Sequence, residues 1–185
     1  MIRKIHVSRI AFFLVLALGL IFQNRALAAH VSAMDSEALA ALHSLYDTTP
    51  AAKVLGREAV AILVFPKIVK AGFIVGAQYG EGVLLKHAKI VGHYNISAAS
   101  YGLQAGGQSF AYAMFFMSRA AMGYLNESGG FEIGAGPSVV LVDQGMARSL
   151  TTTTLRKDVY AFVFGQRGLM AGVGLQGSKI TRIRP

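Results

Sequence analysis

The chain has 185 residues, with 18 basic against 9 acidic side chains, a formal net charge of +9, and no cysteine. Without cysteine there is no disulfide framework, no thiolate metal site and no cysteine for lipid attachment. The length is one domain's worth, enough for a real core, and the positive excess fits either anionic partners, such as lipid headgroups or nucleic acid, or a solvated basic surface.

The first 28 residues carry a separate message. Arg3, Lys4 and Arg9 form a basic opening, Ile10 to Phe22 is an almost unbroken apolar run, and Ala26-Leu27-Ala28 is a small-x-small site. This is the layout of a secretory signal peptide, expected to be cut after Ala28. The apolar run is shorter than the roughly 20 residues a membrane span needs. Removing residues 1–28 takes away Arg3, Lys4, Arg9 and Arg25 and no acid, which leaves 14 basic against 9 acidic residues, a net of +5. The expectation is an exported chain, periplasmic or extracellular, that meets membranes and not nucleic acid.

Residues 29–185 are expected to form a single domain. Residues 35–46 predict a helix, capped by Asp35 or Ser36, with Leu39, Leu42, Leu45 and Tyr46 on one face, which either packs on a sheet or offers an apolar surface to a membrane. Thr49-Pro50 restarts the chain, and residues 51–59 predict a short second helix. Val60 to Phe65 is rich in branched residues and reads as a buried strand that Pro66 terminates. Further strands are expected at 72–78, 82–87, 94–104 and 109–117, with a polar break around His87–His93. In the last of them Phe110, Tyr112, Met114 and Phe116 share one face. Ser118 caps a short helix over 119–125. Residues 126–130 are a loop, and 131–150 are ambiguous because Gly134, Gly136, Pro137 and Gly145 interrupt an apolar run. Residues 158–164 read as a strand buried on both faces. Gln166-Arg167-Gly168 reads as a turn and 169–175 as the returning partner strand.

Glycine recurs through residues 70–117 among apolar and aromatic residues, not in polar linkers. Glycine weakens a strand unless another backbone comes close or a bend is needed, so the segment predicts a tightly curved sheet. The spacing of Gly72, Gly76 and Gly80 would suit a membrane helix face, but Lys67, Lys70 and Glu81 oppose a span. Eight membrane-barrel strands would fit the length, yet helices and strands apolar on both faces do not fit that alternation. Gly172 to Gly177 spells GxGxxG without the following helix and acid that a dinucleotide site needs. No histidine spacing suits a metal, no GxSxG elbow is present, and no two acids pair for acid–base work. Neither catalysis nor a cofactor nor a metal is expected.

Several blocks, in order, resemble one family. They are Ala52-Lys53-Val54-Leu55 with Ala59-Val60-Ala61-Ile62; Lys70-Ala71-Gly72-Phe73 with Gly76 and Gly80-Glu81-Gly82-Val83; and Gly102 to Gln108 with the aromatic run behind it. Gly134-Ala135-Gly136-Pro137 and Arg167 to Gly177 complete the series. From Ala52 to the C-terminus the chain resembles the SYLF domain, also called the Ysc84 actin-binding or DUF500 family, as a bacterial secreted member. It departs from the family at His93-Tyr94-Asn95, where tryptophan, serine and proline are usual, at Gln176, where glutamate is common, and at Gln78, where arginine is common. That missing arginine removes one candidate contact to an anionic headgroup.

The resemblance implies an α+β fold with a curved, barrel-like antiparallel β-sheet and a few peripheral helices. It also implies a non-enzymatic domain that binds lipid. Family relatives bind phosphoinositides and actin, but an exported chain is not expected to meet actin. The expected function is binding to anionic phospholipid membranes, with Lys53, Arg57, Lys67 and Lys70 as the candidate headgroup contacts. The C-terminal Lys179, Arg182 and Arg184 form a second candidate patch. The alternative function is a cell-envelope scaffold for protein interactions with no lipid ligand.

Overall fold

A computed structural model describes residues 29–127, 130–133, 137–142, 157–168 and 177–183, with backbone alone over 101–105. The predicted signal peptide, the return strand over 169–175 and most of the GxGxxG segment lie outside these residues. The chain divides into two units, Met1–Met34 and Asp35–Pro185. Of the first, the described residues 29–34 are helical. The second carries the sheet.

Helix α1 spans 29–48 and therefore starts before the predicted cap. Asp35 lies inside it and does not cap it; its Oδ1 is 2.8 Å from Nε2 of His93 on the sheet. Ala38, Leu42 and Leu45 are buried while Leu39 is exposed, so the apolar stripe is narrower than the leucine spacing suggests. The Thr48 hydroxyl donates to the Ser44 carbonyl at 2.9 Å as the helix ends. Helix α2, Pro50–Glu58, begins on proline as expected and buries Ala51, Ala52 and Leu55.

Strand β1, Ala61–Lys86, and strand β2, Lys89–Phe116, form one antiparallel hairpin paired from Lys86↔Lys89 to Ala61↔Phe116. The four strands expected from 72 to 117 and the separate strand over 60–65 are thus two long ones. Pro66 does not terminate β1. It sits at a register shift between Phe65 and Ile68, a bulge where no ladder N–H is required of it. The polar break is only a two-residue turn, in which His87 and Ala88 have φ of 49° and 59°, as a two-residue hairpin of this twist demands.

The remaining described elements are helix α3 (Arg119–Gly123), a 3-10 turn (Tyr124–Asn126), and strands β3 (Phe131–Glu132), β4 (Val139–Leu141), β5 (Val159–Gly168) and β6 (Lys179–Ile183). The Ser118 hydroxyl accepts from the Ala121 N–H at 3.1 Å, which is the predicted cap. Gln166 to Gly168 continue β5 and do not turn. The basic C-terminal segment, for which no element was expected, supplies β6. Six strands run in the order β3-β6-β2-β5-β4, with β1 on the other side of β2. Among the described residues every pairing is antiparallel except β4 with β5, which is parallel. The fold is the expected α+β, with a curled sheet and peripheral helices.

The curl follows from how β2 is shared. Its second half pairs with β5 and its first half with β6, and the hairpin bends between them. At the bend β1 passes from Phe73↔Ala105 to Val75↔Tyr101, so Ile74 faces three residues of β2. One core holds residues from both halves: Leu63, Phe65, Ile68, Phe110, Tyr112, Met114 and Phe116 with Leu84, Tyr94, Ile96, Phe131 and Ile180. The predicted aromatic face of β2 is therefore the core face. On the opposite face Phe115 is also buried, with its ring 6.5 Å from Tyr46 of α1 and 5.4 Å from Phe162 of β5. The bend brings β1 onto itself. A Cβ at Gly80 would stand 2.8 Å from the Lys67 carbonyl oxygen, and one at Gly82 would stand 2.7 Å from Cδ1 of Phe65. These are close backbone approaches of the kind the glycine pattern predicts.

Candidate functional site

The four predicted cations fall on two elements. Lys53 and Arg57 lie one turn apart on the exposed face of α2, as residues four apart must. Lys67 and Lys70 do not sit in a turn between strands, as the termination at Pro66 would require. They lie within β1, beside the bulge, with Lys67 exposed and Lys70 half-buried. The bulge takes Lys67 out of the ladder, while Lys70 stays in it, in register with Gln108. Among the described residues none of the four pairs with a carboxylate.

The hairpin around them has few acids. No Asp or Glu occurs between Glu58 and Glu81, nor between Glu81 and Glu127. On the neighbouring strand Arg167 is exposed and stands in register with Ser109, itself opposite Val69. Glu81 is engaged, since the Tyr79 hydroxyl donates to its Oε1 at 2.7 Å. That hydrogen bond to a carboxylate, with some burial, pushes the Tyr79 phenol up to about 12.

Two other predicted positions behave differently. Gln78 is only 5 % exposed, and its Nε2 donates to the Ser178 hydroxyl at 2.6 Å. The position faces the interior here, so the expectation that its substitution costs a headgroup contact is not met. In the C-terminal patch Lys179 and Arg182 are exposed on β6. Lys179 stands opposite Glu132, and the Arg182 guanidinium donates to the Val91 carbonyl at 3.3 Å. Both cations thus have local company that Lys67 and Lys70 lack. Arg184 lies outside the described residues.

Sequence reasoning missed the apolar surface at the bend. Phe73 is 75 % and Val75 60 % exposed, and Val69, Ile74 and Tyr79 are exposed as well. The alternation β1 shows there, with 69, 71, 73 and then 75, 77, 79 outward, is legible in principle. What hid it is that the set turned away from solvent, Lys70, Gly72, Gly76, Gln78 and Gly80, is the less apolar of the two, so the pattern alone marks the outward set as the core face. Among the described residues no group of His, Cys, Asp and Glu could hold a metal ion, and no helix is long and apolar enough to cross a membrane.

A curled sheet built on one folded-over hairpin, with exposed cations and apolar residues on its outer surface, defines a domain of α+β class. A family model described as Ysc84, Las17-binding protein actin regulator, matches residues 97–184. The match places residues 97–184 of the chain in the Ysc84 (SYLF) family. No curated protein matches the chain.

Proposed function

We propose that this protein is an exported, non-enzymatic domain that docks on anionic phospholipid membranes. The observation that carries the reading is the pair of exposed Lys67 and half-buried Lys70 on a hairpin almost free of acids, in a chain that resembles a family of lipid-binding domains. Lys53 and Arg57 add charge from α2. Attraction to an anionic surface is worth about 1 kcal/mol per basic residue. Four such contacts sum to about 4 kcal/mol, a millimolar association that salt would weaken.

Co-sedimentation with phosphatidylglycerol vesicles tests this. Lys67→Glu with Lys70→Glu changes the local charge by four units and should lower vesicle affinity about tenfold or more at low salt. Stability should stay within about 0.5 kcal/mol, as for most surface substitutions. Unchanged binding by the folded double variant would move the contact to Lys179, Arg182 and Arg184. Absence of binding by the native chain would leave the alternative, a cell-envelope scaffold for protein interactions with no lipid ligand. Export predicts a mature chain beginning at Ala29, read by mass spectrometry of the secreted protein; retention of residues 1–28 would refute cleavage.

A further inference from the structure

The bend of the hairpin exposes its apolar residues in a definite order. Phe73, Ile74 and Val75 form the tip, and Phe73 is the most exposed large apolar residue described, at 75 %. Ile74 has φ of 65°, a left-handed conformation that a β-branched residue adopts only at a cost. Such strain persists where the surroundings over-determine it and is concentrated at functional sites. Behind the tip on one limb come Lys70, half-buried and on the other face of the strand from Phe73, and the exposed Lys67; behind it on the other limb comes Tyr79, half exposed, with its hydroxyl tied to Glu81. At about 3.3 Å per strand residue, Lys70 lies roughly 10 Å and Lys67 roughly 20 Å along the chain from Phe73. The outward neighbours across the ladder are small: Gly107 opposite Ala71, Ala99 opposite Ala77 and Ser97 opposite Tyr79.

An apolar tip, then an amphipathic aromatic ring and cations set back by about 10 Å, matches the profile of a bilayer interface. Apolar groups of surface-bound segments reach about 5–10 Å into the acyl boundary. Tyrosine favours the headgroup level and lysine extends to it. A protein partner would also accept an apolar patch. The cationic, acid-poor setting of this one instead complements an anionic lipid surface. We infer that Phe73, Ile74 and Val75 insert into the acyl layer of an anionic membrane, with Lys67, Lys70 and Tyr79 held at its headgroups. This rests on the lipid-docking reading and adds to it the element that enters the bilayer.

The chain has no tryptophan, so Phe73→Trp gives a fluorophore without background. With vesicles of equal parts phosphatidylglycerol and phosphatidylcholine, its emission should move to shorter wavelength. Bromine atoms on the acyl chains should quench it. Leu141→Trp, exposed on β4 far along the sequence, should show neither change. Phe73→Ser should weaken partitioning about tenfold, the loss of one buried aromatic side chain, while its melting temperature stays that of the native chain because the residue is mostly exposed. Vesicle binding by the Phe73→Trp variant with unshifted, unquenched emission overturns insertion and leaves electrostatic docking standing. No vesicle binding by the native chain overturns both. An emission shift without vesicles that grows with protein concentration overturns insertion in favour of a second copy covering the tip.

Discussion

Replacing Gly82 by alanine should destabilise the domain strongly. A Cβ there would collide with the Val64 carbonyl oxygen, lie 2.9 Å from the Val64 carbonyl carbon and 2.7 Å from Cδ1 of Phe65. Both neighbours are fully buried, and the first is backbone, so no rotamer change relieves the contact. The two limbs of β1 would have to separate where they share the core. Overpacking a well-filled core costs about 1–3 kcal/mol, and a backbone collision belongs at the upper end of that range. For a domain of this size 1 kcal/mol moves the melting temperature by about 2–4 °C, so the variant should melt roughly 5–10 °C lower. Gly123→Ala is the internal control. It lies in α3 with nothing within 4 Å of an added Cβ, and alanine in a helix is favoured over glycine by about 0.5–1 kcal/mol. Thermal melts followed by circular dichroism should shift in opposite directions. A Gly82→Ala variant as stable as the native chain would show that the limbs of β1 do not meet there.

The buried pair Gln78–Ser178 should behave as a unit. Ser178→Ala leaves the Gln78 amide unpaired and should cost about 1–3 kcal/mol, while Gln78→Leu combined with Ser178→Ala should recover most of it, as a double-mutant cycle in urea would read. Additive losses would mean the hydrogen bond does not exist. Alkaline titration should find Tyr79 ionising at about 12 because of its hydrogen bond to Glu81, and Tyr112 higher than the usual tyrosine value because of burial. Both folded values are raised, so their contribution is complete below about pH 10, where the unfolded phenol would ionise, and is lost above it. The melting temperature should therefore fall as pH rises past 10, and Glu81→Gln should move the Tyr79 absorbance change to lower pH. A flat stability profile above pH 10 would contradict the burial of Tyr112.

Much of the sheet was legible because its signals are local. The face made by Phe110, Tyr112, Met114 and Phe116, the doubly buried strand from Val159, the proline start of α2 and the Ser118 cap all rest on periodicity or on one side chain. The continuity of β1 and β2 was not legible. Pro66 is a strand breaker unless a bulge absorbs it, and His87-Ala88 lacks the glycine or asparagine that marks a tight hairpin. Both are cases where tertiary pairing overrides a local preference. The start of α1 was misplaced for a related reason: Asp35 looks like a cap, but its partner is His93, 58 positions away. At the candidate site the charges were visible in sequence, and their setting was not. Exposure of Phe73 and Val75 depends on the bend, which leaves apolar residues outward where a flat sheet would have been covered.

The ladder between β1 and β2 also bears on how the chain reaches this state. Ala61 and Phe116 are 55 positions apart, yet rung after rung connects them to the two-residue turn at His87 and Ala88. Closing a loop of that length in one step would carry the entropy of the whole segment. Zipping outward from the turn closes only a short stretch at each step, so contacts distant in sequence become local in the order of events. The bend at Ile74 is then the point where zipping must skip rungs, and the parallel joining of β4 to β5 stands outside that ladder. Changes at the turn should accordingly alter the folding rate more than the unfolding rate, and changes in β4 the reverse.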